Sequence, residues 1–241
     1  MIRSWLVAMM EQGVSARSVT RKLTTLKSFY NHLLREGEID STPMRKITSP
    51  KVPKRLPVFI EKDKMEMLDR VDFGAGYSGM RDKLILEMFY ATGMRLAELV
   101  SLKETDIDFH HDTIKVLGKR NKERLIPFSQ QFESLMKSYL VEKRNSFGEI
   151  NDLFLTDKGK PIYSRMVYRI VTGYLSEVTT LEKKSPHVLR HTFATHLLNN
   201  GAELNAVKEL LGHANLSATQ VYTHNTIDKL KRIYKQAHPK A

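Results

Sequence analysis

Apolar residues recur at helical spacing in the first part of the chain. Five of them follow one another at intervals of three and four, namely Val19, Leu23, Leu26, Tyr30 and Leu33. This spacing predicts an amphipathic helix, and Gly37 is suited to end it. The opposite face carries four basic residues: Arg17, Arg21, Lys22 and Arg35. We expect this face to bind nucleic-acid phosphates, although a solvated face would show the same pattern.

The rest of the pattern predicts a mainly α-helical domain with a small antiparallel β-sheet, an α+β fold. Helical periodicity falls near 61–71, 79–92, 94–102 and 130–144. Short β-type runs at 113–117 and 124–127 predict a hairpin, and 152–163 predicts a second short β excursion. Helices follow to the C-terminus, one of them beginning at Ser185-Pro186 and ending at Asn200-Gly201.

Half of the eight prolines lie close together, at Pro43, Pro50, Pro53 and Pro57. Proline removes a backbone donor and disfavours helix in the residue before it. The stretch therefore predicts a stiff linker between a short N-terminal helical piece and a larger C-terminal domain. It is also basic, since it contains Lys51, Lys54 and Arg55.

The charge of the chain narrows its partners. The 241 residues include 39 Lys and Arg and 27 Asp and Glu, so the net charge is 39 − 27 = +12. Residues 1–57 alone hold 11 basic and 4 acidic residues, a net of 11 − 4 = +7. Such an excess favours polyanions, which leaves nucleic acid, anionic lipid and acidic protein as candidates.

The absence of cysteine excludes a disulfide scaffold, an iron–sulfur cluster, a thiolate zinc site and a cysteine nucleophile. The N-terminus lacks the apolar core and cleavage site of a signal peptide. No apolar run approaches the roughly 20 residues that span a bilayer. We therefore expect a soluble, cytoplasmic protein with no membrane contact.

Two segments in the first half of the large domain carry candidate chemistry. In Ala91–Leu99, Gly93 breaks one helix and Arg95 opens the next, where a helix N-terminus and a planar guanidinium both favour phosphate. A surface arginine would look the same. The hairpin turn holds five basic residues within ten: Lys115, Lys119, Arg120, Lys122 and Arg124. They suit a nucleic-acid backbone or a solvated turn, and composition does not decide between Lys119 and Lys122 as a chemical group.

His187 and Arg190 form the third candidate, because residues three apart share a helix face. An imidazole beside a guanidinium suits proton transfer next to a phosphate. A zinc site is an alternative, since His187 and His191 have the spacing of a metal pair, with His196 and His213 as further ligands. The arginine between the pair argues against zinc, and a capped core helix with incidental histidines is a further alternative.

The fourth segment, Leu210–His224, predicts a helix end at Gly212, His213 in the break, and a further helix that carries Tyr222. Half-burial in a core is the usual fate of such a tyrosine. The two helices also resemble a helix-turn-helix, which favours DNA binding without catalysis.

Taken in order, the four segments resemble the tyrosine recombinase, or phage integrase, family, and most closely its Xer-type members. The matching stretches are Ala91–Leu99, Gly118–Pro127 (GKRNKERLIP), Ser185–Leu198 (SPHVLRHTFATHLL) and Leu210–Tyr222 (LLGHANLSATQVY). The resemblance implies the family's catalytic domain at 58–241, preceded by a basic linker at 48–57 and a short, incomplete helical DNA-clamp domain at 1–47. Family members carry two helices before the one at Val19, so we expect incomplete encirclement of DNA.

The resemblance implies six catalytic residues: Arg95, Lys119, His187, Arg190, His213 and Tyr222. Tyr222 matches the nucleophile that leaves a 3′-phosphotyrosine, and the arginines match the pair that binds the non-bridging oxygens. Lys119 matches the general acid for the 5′ leaving oxygen, a choice that composition leaves open. His187 would assist proton transfer and His213 would bind the phosphate, so that no metal or other cofactor is required.

The resemblance also implies partners. Double-stranded DNA is the substrate, bound by a tetramer on paired sites, with or without a sister recombinase. The predicted DNA contacts are Arg17, Arg21, Lys22, Lys51, Lys54, Arg55, Arg120 and Lys122. The role would be chromosome-dimer resolution or the integration and excision of a mobile element. An apolar stripe on the last helix, including Leu230 and Tyr234, predicts packing in cis or on a neighbouring protomer.

Three other functions stay open at this point. A type IB topoisomerase would share the chemistry but rejoin the same strand. A DNA-binding module would use the basic residues without catalysis. A metal-dependent hydrolase would use the histidines.

Overall fold

The structure is a computed structural model that describes residues 1–53, 58–118, 122–212 and 224–240. The chain divides into two compact units, Met1–Leu56 and Pro57–Ala241. The finer division at residues 47 and 57 stays a prediction. No helix within the described ranges is both long and apolar enough to cross a membrane.

The first unit is built on two helices, α1 (Ile2–Glu11) and α2 (Ala16–Arg35). Ser15 caps α2 by accepting a hydrogen bond from the Ser18 amide at 3.3 Å. Both helices enclose a small core of buried side chains: Met9, Val19, Leu23 and Met44. The predicted apolar face of α2 is therefore confirmed. Helix α1 was not predicted, because its apolar residues surround the helix rather than forming one stripe.

The second unit contains eight α-helices in its described part. Their bounds are α3 Lys62–Met67, α4 Gly76–Thr92, α5 Leu96–Val100, α6 Gln130–Phe147, α7 Ser164–Val178, α8 Pro186–Asn199, α9 Leu204–Leu211 and α10 His224–Ala237. Helix α4 is the centre of this unit, because it is buried on nearly all sides and packs on α6, α7 and α8.

Helix α4 ends at Gly93, whose φ of +59° is a left-handed conformation that few other residues adopt without strain. Space at this glycine is also limited. A Cβ added there would lie 2.4 Å from Cδ1 of Phe193 and 3.0 Å from Cδ2 of Leu211. Gly93 therefore allows the chain to turn tightly against α8 and α9 before α5 begins.

The predicted hairpin is confirmed as part of a three-stranded antiparallel sheet. Strand β1 (Ile107–Asp108) pairs with β2 (Thr113–Leu117), and β2 pairs with β3 (Glu123–Pro127). In the second pair, Val116 lies opposite Arg124. The excursion predicted at 152–163 is smaller than expected and contains no strand. It is reduced to single bridges, of which one joins Leu155 to Pro161.

Helix α8 starts and ends where the sequence predicted. Pro186 is its first residue and Asn200 its C-cap, although the side chain of Ser185 makes no capping hydrogen bond. The next helix, α9, ends at Gly212, which has a φ of +64°. This end of α9 is the point at which the candidate site is assembled.

The apolar stripe of α10 packs within its own chain. Leu230, Tyr234 and Ala237 are buried, and the helix contacts α8, α9 and β3. In this structure the stripe is thus covered in cis, and packing on a neighbouring protomer stays a prediction.

The residues after α10 are held by polar contacts. The imidazole of His238 is buried, with Nε2 3.0 Å from the Tyr90 carbonyl and Nδ1 accepting from the Lys240 amide. The ammonium of Lys240 donates to both Asp69 and Glu87 at 2.7 Å. Because Nδ1 accepts and Nε2 donates, the imidazole fits this place in its neutral form.

Acidification is expected to weaken the second unit through His238. Burial lowers the pKa of this imidazole to about 4 from its ordinary value of 6.5. As the pH falls, His238 is protonated in the unfolded chain before it is protonated in the folded chain. The contribution of the neutral imidazole to the free energy of unfolding is therefore complete above pH 6.5 and is lost as the pH falls towards 4. The loss should be on the order of 3 kcal/mol. Urea unfolding across this range should show it, and His238→Gln should flatten the dependence.

An exposed histidine provides the control for this experiment. His110→Gln should keep the dependence of the wild type, since His110 is exposed. An equally steep loss of stability in His238→Gln would contradict the assignment.

Substitution of Gly93 should be more costly than substitution of Gly201. Both have positive φ, +59° and +88°, but an added Cβ meets no atom within 4 Å at Gly201. Alanine should cost about 1 kcal/mol at either position for backbone strain. Gly93→Ala should lose a further 1–3 kcal/mol, roughly, for overpacking against Phe193. Denaturant midpoints measure the difference, and equal losses would contradict the packing argument.

Candidate active site

Arg95 is the N-cap of α5 and is held by the carboxylate of Glu98. Its backbone N–H donates to Glu98 Oε2 at 2.6 Å, and its Nη1 donates to Oε1 at 2.7 Å. Its Nη2 donates to the Gly212 carbonyl at 3.3 Å. With 27% of its side chain exposed, the guanidinium is fixed on one side and accessible on the other.

Arg190 reaches the same place from α8. Its Nη1 donates to the Gly93 carbonyl at 2.5 Å, and its Nη2 donates to the Leu211 carbonyl at 2.6 Å. The side chain is half-buried. Two arginines that are 95 residues apart in sequence therefore bind adjacent carbonyls, which brings their charges together.

A third arginine, Arg124, lies behind them. Its Nη1 and Nη2 donate to the two oxygens of Glu98 at 2.9 and 2.8 Å, and its Nε donates to the Leu210 carbonyl at 2.9 Å. Arg124 and Glu98 are each 4% exposed. Sequence reasoning counted Arg124 among the basic residues of the turn and left Glu98 out. The alternation of β3 was the available signal, since Arg124 has the same phase as the buried Ile126.

The C-terminal end of α9 joins the three arginines. Its last carbonyls have no partner within the helix, and the helix dipole makes this end negative. Leu210, Leu211 and Gly212 each present one carbonyl to a different arginine. Gly212 also leaves room for this arrangement, because an added Cβ would lie 3.1 Å from Cδ of Arg124.

The electrostatics of this cluster favour an anion. Burial alone would raise the pKa of Glu98, but the hydrogen bonds and charge of Arg124 and the hydrogen bonds of Arg95 lower it to about 2. Glu98 is therefore ionised and neutralises one of three positive charges. Burial lowers the pKa of Arg190 to about 10, and the charges of Arg95 and Arg124 add to this effect. A phosphate diester at this place would relieve the repulsion.

His187 is exposed at the start of α8, one turn before Arg190. The structure thus brings Arg95 and Arg190 together and places His187 on the same helix as the second of them. The other three predicted catalytic residues, Lys119, His213 and Tyr222, lie outside the described residues. In the sequence, His213 directly follows Gly212, and Lys119 directly follows Gly118.

The predicted DNA contacts that the structure describes are all exposed: Arg17, Arg21, Lys22, Lys51 and Lys122. Exposure is required for such contacts but does not demonstrate them. Lys54, Arg55 and Arg120 lie outside the described residues.

The histidines considered as zinc ligands lie in different environments. His196 is buried, and its Nδ1 is 2.9 Å from the hydroxyl of Tyr90, whereas His191 is exposed. Across the described parts of the chain, no three His, Asp or Glu side chains are grouped to hold a metal ion.

Residues 59–229 match the phage integrase family, and residues 1–37 match the phage integrase N-terminal SAM-like domain. The tyrosine recombinase XerC of Chlorobaculum parvum is 37% identical over 100% of this chain and 78% of its own length. The tyrosine recombinase XerD of Listeria monocytogenes is 41% identical over 96% of this chain and 79% of its own length.

A solved structure shows the same fold. The XerH site-specific recombinase bound to its difH substrate has a TM-score of 0.71 and 25% identity. The match covers 97% of this chain and 65% of the XerH chain, so this chain spans about two thirds of that protein. The matching family models, the relatives and the fold of this chain agree. The chain belongs to the phage integrase family and is a tyrosine recombinase of the Xer type.

Proposed function

We propose that this tyrosine recombinase cleaves and rejoins double-stranded DNA at specific sites through a 3′-phosphotyrosine on Tyr222. The observation that carries the proposal is the convergence of Arg95 and Arg190 on neighbouring carbonyls at the end of α9. Together with Arg124 they carry three positive charges. In the described part of the chain, the carboxylate bonded to this cluster is that of Glu98, which supplies one negative charge. A backbone phosphate supplies the missing negative charge.

The reaction exchanges one phosphodiester for another. The Tyr222 oxygen forms a bond to phosphorus, while the bond to the 5′ oxygen breaks and Lys119 protonates that oxygen. Arg95 and Arg190 bind the non-bridging oxygens, where negative charge builds in the transition state. A 5′-hydroxyl from the partner strand then attacks the phosphotyrosine and releases Tyr222. The bond energy is conserved, so no external energy source is needed.

Activation of Tyr222 is necessary because a phenol with an ordinary pKa of about 10 is mostly protonated at neutral pH. His187 and His213 are the candidate groups for proton transfer and phosphate contact. The exposure of His187 at the start of α8 is compatible with this role.

DNA binding and assembly extend the proposal. The exposed basic face of α2 and Lys51 would bind backbone phosphates, together with Lys54, Arg55, Arg120 and Lys122. We place four copies on two paired sites, with or without a sister recombinase, in the cytoplasm. Chromosome-dimer resolution is consistent with relatives that are tyrosine recombinases XerC and XerD, and the integration and excision of a mobile element is the alternative role.

Tyr222→Phe is expected to abolish covalent attachment to DNA. Wild type and variant would be incubated with nicked suicide duplexes that contain a recombination site, in EDTA, and resolved under denaturing conditions. The wild type should give a protein–DNA band and the variant none, while both bind the duplex equally in gel shift. An equal band in both would contradict the assignment of Tyr222. Relaxation of supercoils without strand exchange would instead favour a topoisomerase.

Arg190→Lys is expected to slow cleavage about 100- to 1,000-fold, the cost of removing one preorganised donor from a transition state. A lysine ammonium cannot reproduce the planar fork that binds Gly93, Leu211 and a phosphate together. Single-turnover cleavage at saturating protein measures the effect. Lys208→Met, on the exposed side of α9, is the control and should cleave like wild type. Near-normal cleavage by Arg190→Lys would contradict the proposed phosphate site.

A further inference from the structure

Arg124 is a buried residue of the site, and a ligand in solvent cannot reach its guanidinium. It donates three hydrogen bonds, two to the carboxylate of Glu98 and one to the Leu210 carbonyl. With 4% of its side chain exposed, it is not placed to bind a phosphate from solvent. Its role must therefore pass through the groups that it holds.

Glu98 connects Arg124 to Arg95. The same oxygen, Oε1, accepts from Arg95 Nη1 at 2.7 Å and from Arg124 Nη1 at 2.9 Å. Without Arg124, the carboxylate would lose two of its four donors and would keep only the backbone N–H and the Nη1 of Arg95. The orientation of the partly exposed Arg95 guanidinium therefore depends on the buried guanidinium of Arg124.

The Leu210 carbonyl connects Arg124 to the end of α9. The next two carbonyls in the chain bind Arg190 and Arg95. Fixing the Leu210 carbonyl constrains the Leu211 carbonyl, because both belong to α9, and positions the C-cap Gly212 that follows directly. Arg124 therefore holds both anchors of the arginine pair.

Stability alone is a weak reason for such a pair. A buried ion pair gives up the hydration of both charges, and apolar residues of similar volume often stabilise a core equally well. The position of this pair, in contact with the anchors of both phosphate-binding arginines, is better explained by the orientation that it provides.

We infer that Arg124 is a positioning residue that orients Arg95, through Glu98, and the end of α9 for binding the scissile phosphate. This inference rests on the proposed function. It assigns Arg124 an effect on the cleavage step, where charge builds on the phosphate, and little effect on DNA affinity. A displacement of about 1 Å in such a group is sufficient to slow a reaction by about 100-fold.

The test compares two scissile groups in single-turnover cleavage by Arg124→Lys at saturating protein. With ordinary phosphate, the variant should cleave about 10- to 100-fold slower than wild type at similar DNA affinity. A neutral methylphosphonate lacks the negative charge that Arg95 balances. With this substrate, the ratio of the wild-type rate to the variant rate should shrink to about 3-fold or less, because little charge stabilisation is left to lose. An unchanged ratio on both substrates, or no slowing on phosphate, would overturn the inference.

Arg81→Lys is the matched control. Arg81 is another buried arginine, 3% exposed, which donates to Asp82, Asp157 and the Leu155 carbonyl. If loss of a buried ion pair slowed cleavage only through lost stability, this variant would behave like Arg124→Lys. We expect it to cleave both substrates at equal fractions of the wild-type rate.

Two further results keep the test decisive. If Arg124→Lys does not fold, Glu98→Gln serves instead, because it removes the charge between the two arginines, and the same shrinkage is expected. If the wild type itself forms no covalent adduct, the proposed function fails and the inference fails with it. An active wild type whose variants show no substrate-dependent ratio overturns the inference alone.

Discussion

The carboxylate of Glu98 is the charge on which the candidate site depends. Three guanidinium groups meet at the end of α9, and like charges at this separation would repel one another without a counterion. Glu98 accepts from two of them, and its low pKa keeps it ionised over the whole physiological range. It neutralises one of the three positive charges and leaves a net positive charge at the site. The site is therefore held together while its attraction for an anion is retained.

The backbone supplies the second part of the arrangement. Helix ends leave carbonyls without partners, and most proteins satisfy them with water or local caps. Here the end of α9 uses arginines from β3, from the N-cap of α5 and from α8 instead. A local requirement of one helix is thereby met by residues from distant parts of the sequence. The position of α9 and the geometry of the arginines cannot change independently.

Much of this could be predicted where local chemistry determines the structure. Pro186 sets the start of α8, and Gly93 and Gly212 end α4 and α9 in left-handed conformations. Family resemblance selected Arg95 and Arg190, and the structure brings them together. Arg124 was not recognised, because a count of basic residues carries no information on the direction of a side chain. That direction follows from the alternation along β3, in which Arg124 has the same phase as the buried Ile126.

The pairing of Val116 with Arg124 limits how the hairpin can vary in length. The turn closes at the hydrogen bond from the Gly118 amide to the Lys122 carbonyl, so residues added between these two leave the phase of β3 unchanged. One residue inserted or deleted within β3 would reverse that phase, because side chains alternate between faces. Arg124 would then face solvent, and a neighbour would meet Glu98. The burial of Arg124 therefore constrains the length of β3 itself, whatever the length of the segment that joins it to β2.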